Sequence, residues 1–264
     1  MPVGTRAEAP RRGRKKDLTE FCMDLAGMRI GVRALYPQSR AYCRDYLCQG
    51  SPELLVEIRP ELLEQEQARS RSSALEEGLT PWEAPAEYLE LLAIYRQIAE
   101  QAPARNVLLF HGSAIAVDGQ TYLFTAKSGT GKSTHTRLWR QRFGDRALMV
   151  NDDKPLLRFT PEGVLACGTP WDGKHRLSTP IQLPLKAVCV LTRDDHNHIE
   201  ALPAREAYPT LYQQSYHPRD PEAMALTLSL LGRLTQQVKL YHLGCNMDPS
   251  AAEISYNGMQ EEDK

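Results

Sequence analysis

The run Ala126-Lys127-Ser128-Gly129-Thr130-Gly131-Lys132-Ser133 limits the fold of this chain more than any other feature. It sits between an apolar, strand-like segment and a helix-like one. Gly129 and Gly131 let the backbone turn inward, so successive N–H groups can point at one place. A helix starting near Lys132 brings its positive dipole end to the same point. A polyphosphate is the chemistry this suits. Lys132 reaches β- and γ-phosphates as a compact cation, and Ser133 offers a hydroxyl to Mg²⁺, with Ser128, Thr130 and Thr134 in the same cradle. The usual pattern opens on glycine; Ala126 stands there and keeps the side chain small. ATP and Mg²⁺ are therefore the expected cofactors.

The flanking pattern alternates. Val107 to Val117 reads as strand, interrupted near His111-Gly112. Asp118-Gly119 is a two-residue hairpin signal, and Gln120 to Thr125 is the returning strand. A helix is expected from Lys132 to Phe143, stopped by Gly144. Ala147 to Val150 is a short apolar strand. Leu156–Phe159 and Val164–Cys167 make a hairpin, Ala187–Leu191 a buried strand, and Val238–Leu243 one more among helices. This predicts an α/β core over 103–264 with a mixed sheet, because a hairpin precedes the glycine-rich loop. Residues 17–102 read as a small α+β region. It has strands at Met28–Val32 and Leu54–Ile58, a polar loop or exposed helix over 60–73, and a helix from Pro81 to Gln101. Leu89, Leu92, Tyr95 and Ile98 share one face of that helix. Residues 1–16 carry six basic side chains and little apolar content, the signature of a disordered tail.

Chemistry-bearing residues cluster around the loop. Asp152 and Asp153 follow the strand downstream of it, where a magnesium-organising acid belongs. Adjacent side chains on extended backbone point apart, so one carboxylate belongs near the metal and the other near the attacking group. Ser133, Asp152 and Asp153 are the expected metal contacts. His111 ends an apolar run and is expected to hydrogen-bond Asp152 and hold it in place. In Gly168-Thr169-Pro170-Trp171-Asp172-Gly173-Lys174-His175-Arg176, Trp171 is a candidate for stacking on a base or substrate. Lys174 or Arg176 is a candidate to neutralise charge on a transferred phosphoryl group. His196 and His198 lie in a polar loop and read as solvent-exposed.

Composition excludes several classes. A net charge of -1 gives no electrostatic case for nucleic acid or an anionic membrane. No apolar run approaches the roughly 20 residues that span a bilayer, and no apolar segment follows the N-terminal charges as in a secretory signal. Six dispersed cysteines without a C-x-x-C pair suggest reduced thiols and a cytoplasmic protein.

In combination, HGSAIAVDGQTYLFTAKSGTGKSTHTRLW followed by MVNDDKPLL resembles the HPr kinase family. There a His-Gly strand, a hairpin, a phosphate loop and an Asp-Asp pair come in the same order. SGTGKST also looks like the phosphate loop of ATP-dependent phosphoenolpyruvate carboxykinase. GTPWDGKH looks like HPr-kinase-like proteins of peptide-modification gene clusters. The resemblance covers residues 106–195 and implies a P-loop kinase core of that type. It implies transfer of the γ-phosphoryl group of ATP to a hydroxyl on a peptide, a protein or a small molecule. By position, His111 matches the histidine that assists the catalytic acid, Asp152 the base toward the hydroxyl, Asp153 its acidic neighbour, and Lys132 and Ser133 the phosphate and magnesium contacts. Relatives are often oligomers, so a homo-oligomer is expected. No glycine-rich signature follows the acid pair, and the first hundred residues do not match those kinases' regulatory domain. Other readings are an ATP-binding module that presents a peptide without transfer, and carboxykinase-type chemistry on a small acid.

Overall fold

The computed structural model describes residues 18–76 and 78–260; the basic tail lies outside them. Strand β1 (Thr19–Leu25) pairs antiparallel with β2 (Met28–Ala34), and β2 pairs parallel with β3 (Leu54–Glu57). Along β2, Met28, Ile30, Val32 and Ala34 are buried while Arg29 and Arg33 face water, the period of two expected of a half-covered sheet. Helices α1 (Pro37–Tyr42), α2 (Pro60–Glu76) and α3 (Ala86–Gln101) complete this part. Helix α2 resolves the polar stretch as helix. It buries Leu63 and Glu66, and Glu66 is tied to Arg96 of α3 at 2.7 and 2.9 Å. Helix α3 starts at Ala86 rather than Pro81, because Pro85 sets an extended residue before it. Its face Leu89, Ala93, Ile94 and Ile98 packs on the small sheet. The same core runs on without a break into Val107, Leu109, Leu156 and Trp171.

The larger sheet has nine strands among the described residues. They are β4 (Val107–Leu109), β5 (Ser113–Val117), β6 (Gln120–Thr125), β7 (Ala147–Asn151), β8 (Leu156–Thr160), β9 (Gly163–Cys167), β10 (Gln182–Arg193), β11 (His198–Ala201) and β12 (Lys239–Cys245). The long strand β10 joins two parts. Gln182–Pro184 pairs antiparallel with β9, continuing to β8 and β4. Past an irregularity at Leu185–Ala187, β10 lies parallel to both β6 and β12. Beyond β6 come β5 and β7, both antiparallel, and β11 edges β12. The sheet is mixed, as expected; β1 and β11 are additions that no local signal announced.

Both faces of the second part are covered. On one side, Ala114, Ala116, Leu123 and Val188 meet α5 (Ala204–Gln214) and α6 (Pro221–Gln237). On the other, Ile115, Tyr122, Phe124 and Cys189 meet α4 (Lys132–Phe143) and α7 (Ser250–Gly258). Trp139, fully buried on α4, ties the two helices by donating its Nε1–H to Ser255 Oγ at 2.9 Å. No helix among the described residues is long and apolar enough to cross a membrane.

Gly168 fixes where the next loop leaves the sheet. A Cβ there would meet the Thr179 carbonyl oxygen at 1.9 Å and that of Val150 at 2.9 Å, so the backbones approach as only glycine allows. Gly232, in α6, has nothing within 4 Å of such an atom. Gly168→Ala is expected to cost about 1–3 kcal/mol and lower the melting temperature by several degrees. Gly232→Ala is expected to raise it by a degree or more. Calorimetry on both variants checks the pair, and an unchanged Gly168→Ala melt would show that the loop moves freely.

Candidate active site

Strand β6 delivers Thr125 to the sheet edge, and the chain turns through 126–131 into α4. Asp118 (φ 52°) and Gly119 (φ 78°) make the tight turn that sends β5 back as β6. Gly131, with φ 125°, is the last residue before the helix. From the first turn of α4, Lys132 reaches back and donates to the Ala126 carbonyl at 3.0 Å. Arg193, at the end of β10, clasps the loop from outside, its Nη2 on the Gly129 carbonyl at 2.6 Å and its Nε on that of Thr130 at 3.4 Å.

The acid pair faces this loop from the end of β7. A cleft of about 510 Å³ brings Ser128–Gly129, Gly131–Thr134, His111, Asp152, Asp153, Lys174 and His175 together. Thr130 faces a neighbouring cavity of about 530 Å³ instead. That cavity shares Gly129, Gly131 and Thr134 with the cleft and adds Leu191, Arg193 and Met247.

The two carboxylates have different partners. Asp152 is buried, and its Oδ1 accepts the Ser113 hydroxyl at 2.5 Å. Burial raises its pKa, against the hydroxyls of Ser113 and Ser133. Asp153 is half-buried, with Oδ1 2.9 Å from Lys154 Nζ and 3.4 Å from His111 Nε2. His111 therefore stands against Asp153 and not, as the sequence suggested, against Asp152. The reason lies in the pairing of β5: Ser113, not His111, comes opposite Asp152, and the Gly112 N–H binds the Asp153 carbonyl at 3.1 Å. Burial, with Lys154 and Lys132 nearby, lowers the His111 pKa to about 4. The ring is neutral near pH 7. Burial also lowers the pKa of Lys132.

Asn151 sets the backbone under the pair. Its Oδ1 accepts the N–H groups of Asp153 at 2.8 Å and Lys154 at 2.7 Å, while Nδ2 donates to the Thr169 carbonyl and hydroxyl, both at 3.0 Å. That bond pins the 168–178 loop across the acids. Two of the loop's candidate residues do not join the cleft. Trp171 is buried in the first core, its Nε1–H on the Leu91 carbonyl at 3.0 Å, and is not free to stack on a ligand. Arg176 turns away and lies over the Tyr42 ring, 4.3 Å from its centroid. Ser113, Asn151 and Arg193 carried no motif of their own; the Ser in His-Gly-Ser and the Asn before the acids become visible only through strand pairing.

The donors present suit Mg²⁺. The Asp152 carboxylate and Ser133 hydroxyl are hard oxygens close enough to interact, and Mg²⁺ commonly takes one or two protein ligands beside phosphate oxygens and water. No group of three or more His, Cys, Asp or Glu that could hold a metal occurs among the described residues, so the chain builds no self-sufficient cage there.

Ser113→Ala removes the donor on buried Asp152 Oδ1 and is expected to cost about 1–3 kcal/mol. In an Asp152→Asn background the same change should cost at least 0.5 kcal/mol less, on the order of neighbour coupling. Urea unfolding of the four proteins reads the cycle; strict additivity would deny the contact.

No curated protein matches the sequence. Among solved structures, the chain matches the HPr(Ser) kinase/phosphatase from Coxiella burnetii at 11% identity and a TM-score of 0.35, over 58% of this chain and 90% of that one. A family model described as "SynChlorMet cassette protein ScmC" matches residues 82–219, just over half of the 264 residues, and the matched span holds every residue of the cleft. The chain belongs to the ScmC family of SynChlorMet cassette proteins.

Proposed function

We propose that this protein is an ATP-dependent, Mg²⁺-assisted phosphotransferase acting on the hydroxyl of a peptide. The observation that carries the reading is one cleft in which a glycine-rich loop with Lys132 and Ser133 faces Asp152, Asp153, His111 and Lys174. The loop amides and Lys132 hold the β- and γ-phosphates. The neighbouring cavity, with Leu191 and Met247 beside Arg193, takes the base. Asp152 and Ser133 would hold Mg²⁺, which would supply charge neutralisation there.

The two acids divide the work. Asp152, seated between two serine hydroxyls, serves the metal. Asp153 orients the acceptor hydroxyl and takes its proton as the oxygen bonds to the γ-phosphorus and the bond to the β–γ bridging oxygen breaks. Lys154 and His111 fix the Asp153 carboxylate. Its role is mainly positional, since a loose phosphoryl-transfer transition state asks little of a base. Lys174 lies where it can meet charge on the transferred group.

Incubating the protein with γ-labelled ATP and serine peptides, followed by mass spectrometry, tests this. Label should appear on peptide. Asp153→Asn is expected to lower transfer by about 10²-fold with ATP binding retained. Lys132→Ala should lower kcat/KM by about 10²-fold or more. Asp152→Asn should raise the Mg²⁺ concentration needed for half-maximal transfer. ADP with free phosphate and no labelled peptide would instead indicate a nucleotide-driven binding module.

A further inference from the structure

Cys22 and Cys48 belong to no motif and lie 26 positions apart, yet the fold sets them face to face. Cys22 is on β1, an edge of the small sheet. After the turn Arg44–Tyr46 the chain runs back along that edge. Met23 there bridges antiparallel to Leu47, and the Cys48 N–H donates to the Cys22 carbonyl at 3.0 Å. That register puts Cys22 directly opposite Cys48. Opposed residues in such a hydrogen-bonded position have Cα atoms about 5.5 Å apart, inside the roughly 4.4–6.8 Å that a disulfide spans. The side chains already meet, with the sulfurs 3.4 Å apart. Both residues are partly exposed, so a small reagent can approach them. Of the other thiols, Cys43, Cys167 and Cys189 are buried, and Cys245 belongs to the larger sheet.

We propose that Cys22 and Cys48 form a reversible thiol–disulfide site, closed by a low-molecular-weight disulfide such as oxidised glutathione and reopened by thiols. A metal is the poorer use of the pair, because no group of three or more His, Cys, Asp or Glu that could hold one occurs among the described residues. Cys48 donates its S–H to Cys22. Burial, with the Cys22 thiol beside it, pushes Cys48 up to about 11 against the pull of Arg29. Cys48 therefore keeps its proton, and Cys22 attacks first. Its thiolate bonds to one sulfur of the small disulfide, and the other sulfur leaves and takes up a proton. Cys48 then releases its proton, its sulfur bonds to Cys22 Sγ, and the second small thiol departs. The protein loses two electrons and two protons, and the small disulfide gains both to become two thiols. The closed loop holds β2, α1 and the turn at 44–46. Cross-linking restricts the unfolded chain over that span, so the oxidised form is the more stable one.

The test uses the folded full chain as wild type, Cys22→Ser and Cys48→Ser. Each is incubated with oxidised glutathione, free thiols are blocked with iodoacetamide, and tryptic peptides are read by mass spectrometry without reduction. Trypsin cuts after Arg40 and Arg44, which leaves Cys43 and Cys48 on separate peptides. In most wild-type chains the Cys22 peptide should be joined to the Cys48 peptide, and dithiothreitol should part them. Oxidation should raise the wild-type melting temperature by several degrees and leave those of the two variants within about a degree. Recovery of both cysteines with the blocking group, or with separate glutathione adducts, overturns the site. So does a link from either to another cysteine or to a second chain. A wild-type melting temperature that falls on oxidation would show that the folded strands do not accommodate the bridge, and would overturn it equally.

Discussion

The arrangement depends most on the side chain of one buried amide, Asn151. At the end of β7 its Oδ1 accepts two backbone N–H groups, and its Nδ2 donates to the Thr169 carbonyl and hydroxyl with a longer contact to the Trp171 carbonyl at 3.4 Å, so both ends of the amide are satisfied. The acceptor side bends the backbone after the strand and so decides which way Asp152 and Asp153 face. The donor side holds Thr169, whose hydroxyl returns to the Lys154 carbonyl at 2.8 Å. A turn and a loop separated by more than a dozen residues are thereby fastened into one piece. A network of this kind either has all its members satisfied or is worse than an apolar substitute.

Around that piece, burial works against both signs of charge. It lowers the pKa of His111 and of Lys132 and raises that of Asp152, all within a single cleft. A polyphosphate would relieve Lys132, and a hard divalent ion would relieve the Asp152 carboxylate.

Features with a local cause were legible in the sequence. The Asp118-Gly119 hairpin, the span of α4 and the strand into the glycine-rich loop all appear where turn chemistry and periodicity put them. What depends on pairing between distant strands was not. His111 and Ser113 are two residues apart, and only the path of β5 beside β7 decides that Ser113 meets Asp152 while His111 meets Asp153. Trp171 was misread for a related reason. An aromatic residue in a glycine- and proline-containing loop looks exposed, yet the first core extends from α3 to claim it. Strand β11 is short and mostly exposed, so it carries no apolar alternation to read.

The 168–178 loop then acquires a structural logic of its own. Gly168 admits it between two backbones, Asn151 pins its start, Trp171 anchors its middle in the core, and the Asp172–Ser178 bonds close its end. Of the stretch between, Gly173, Lys174 and His175 line the cleft of the glycine-rich loop, and Asp172 and Arg176 line a cavity behind it. A loop fastened at this many points cannot adjust one face without disturbing the other.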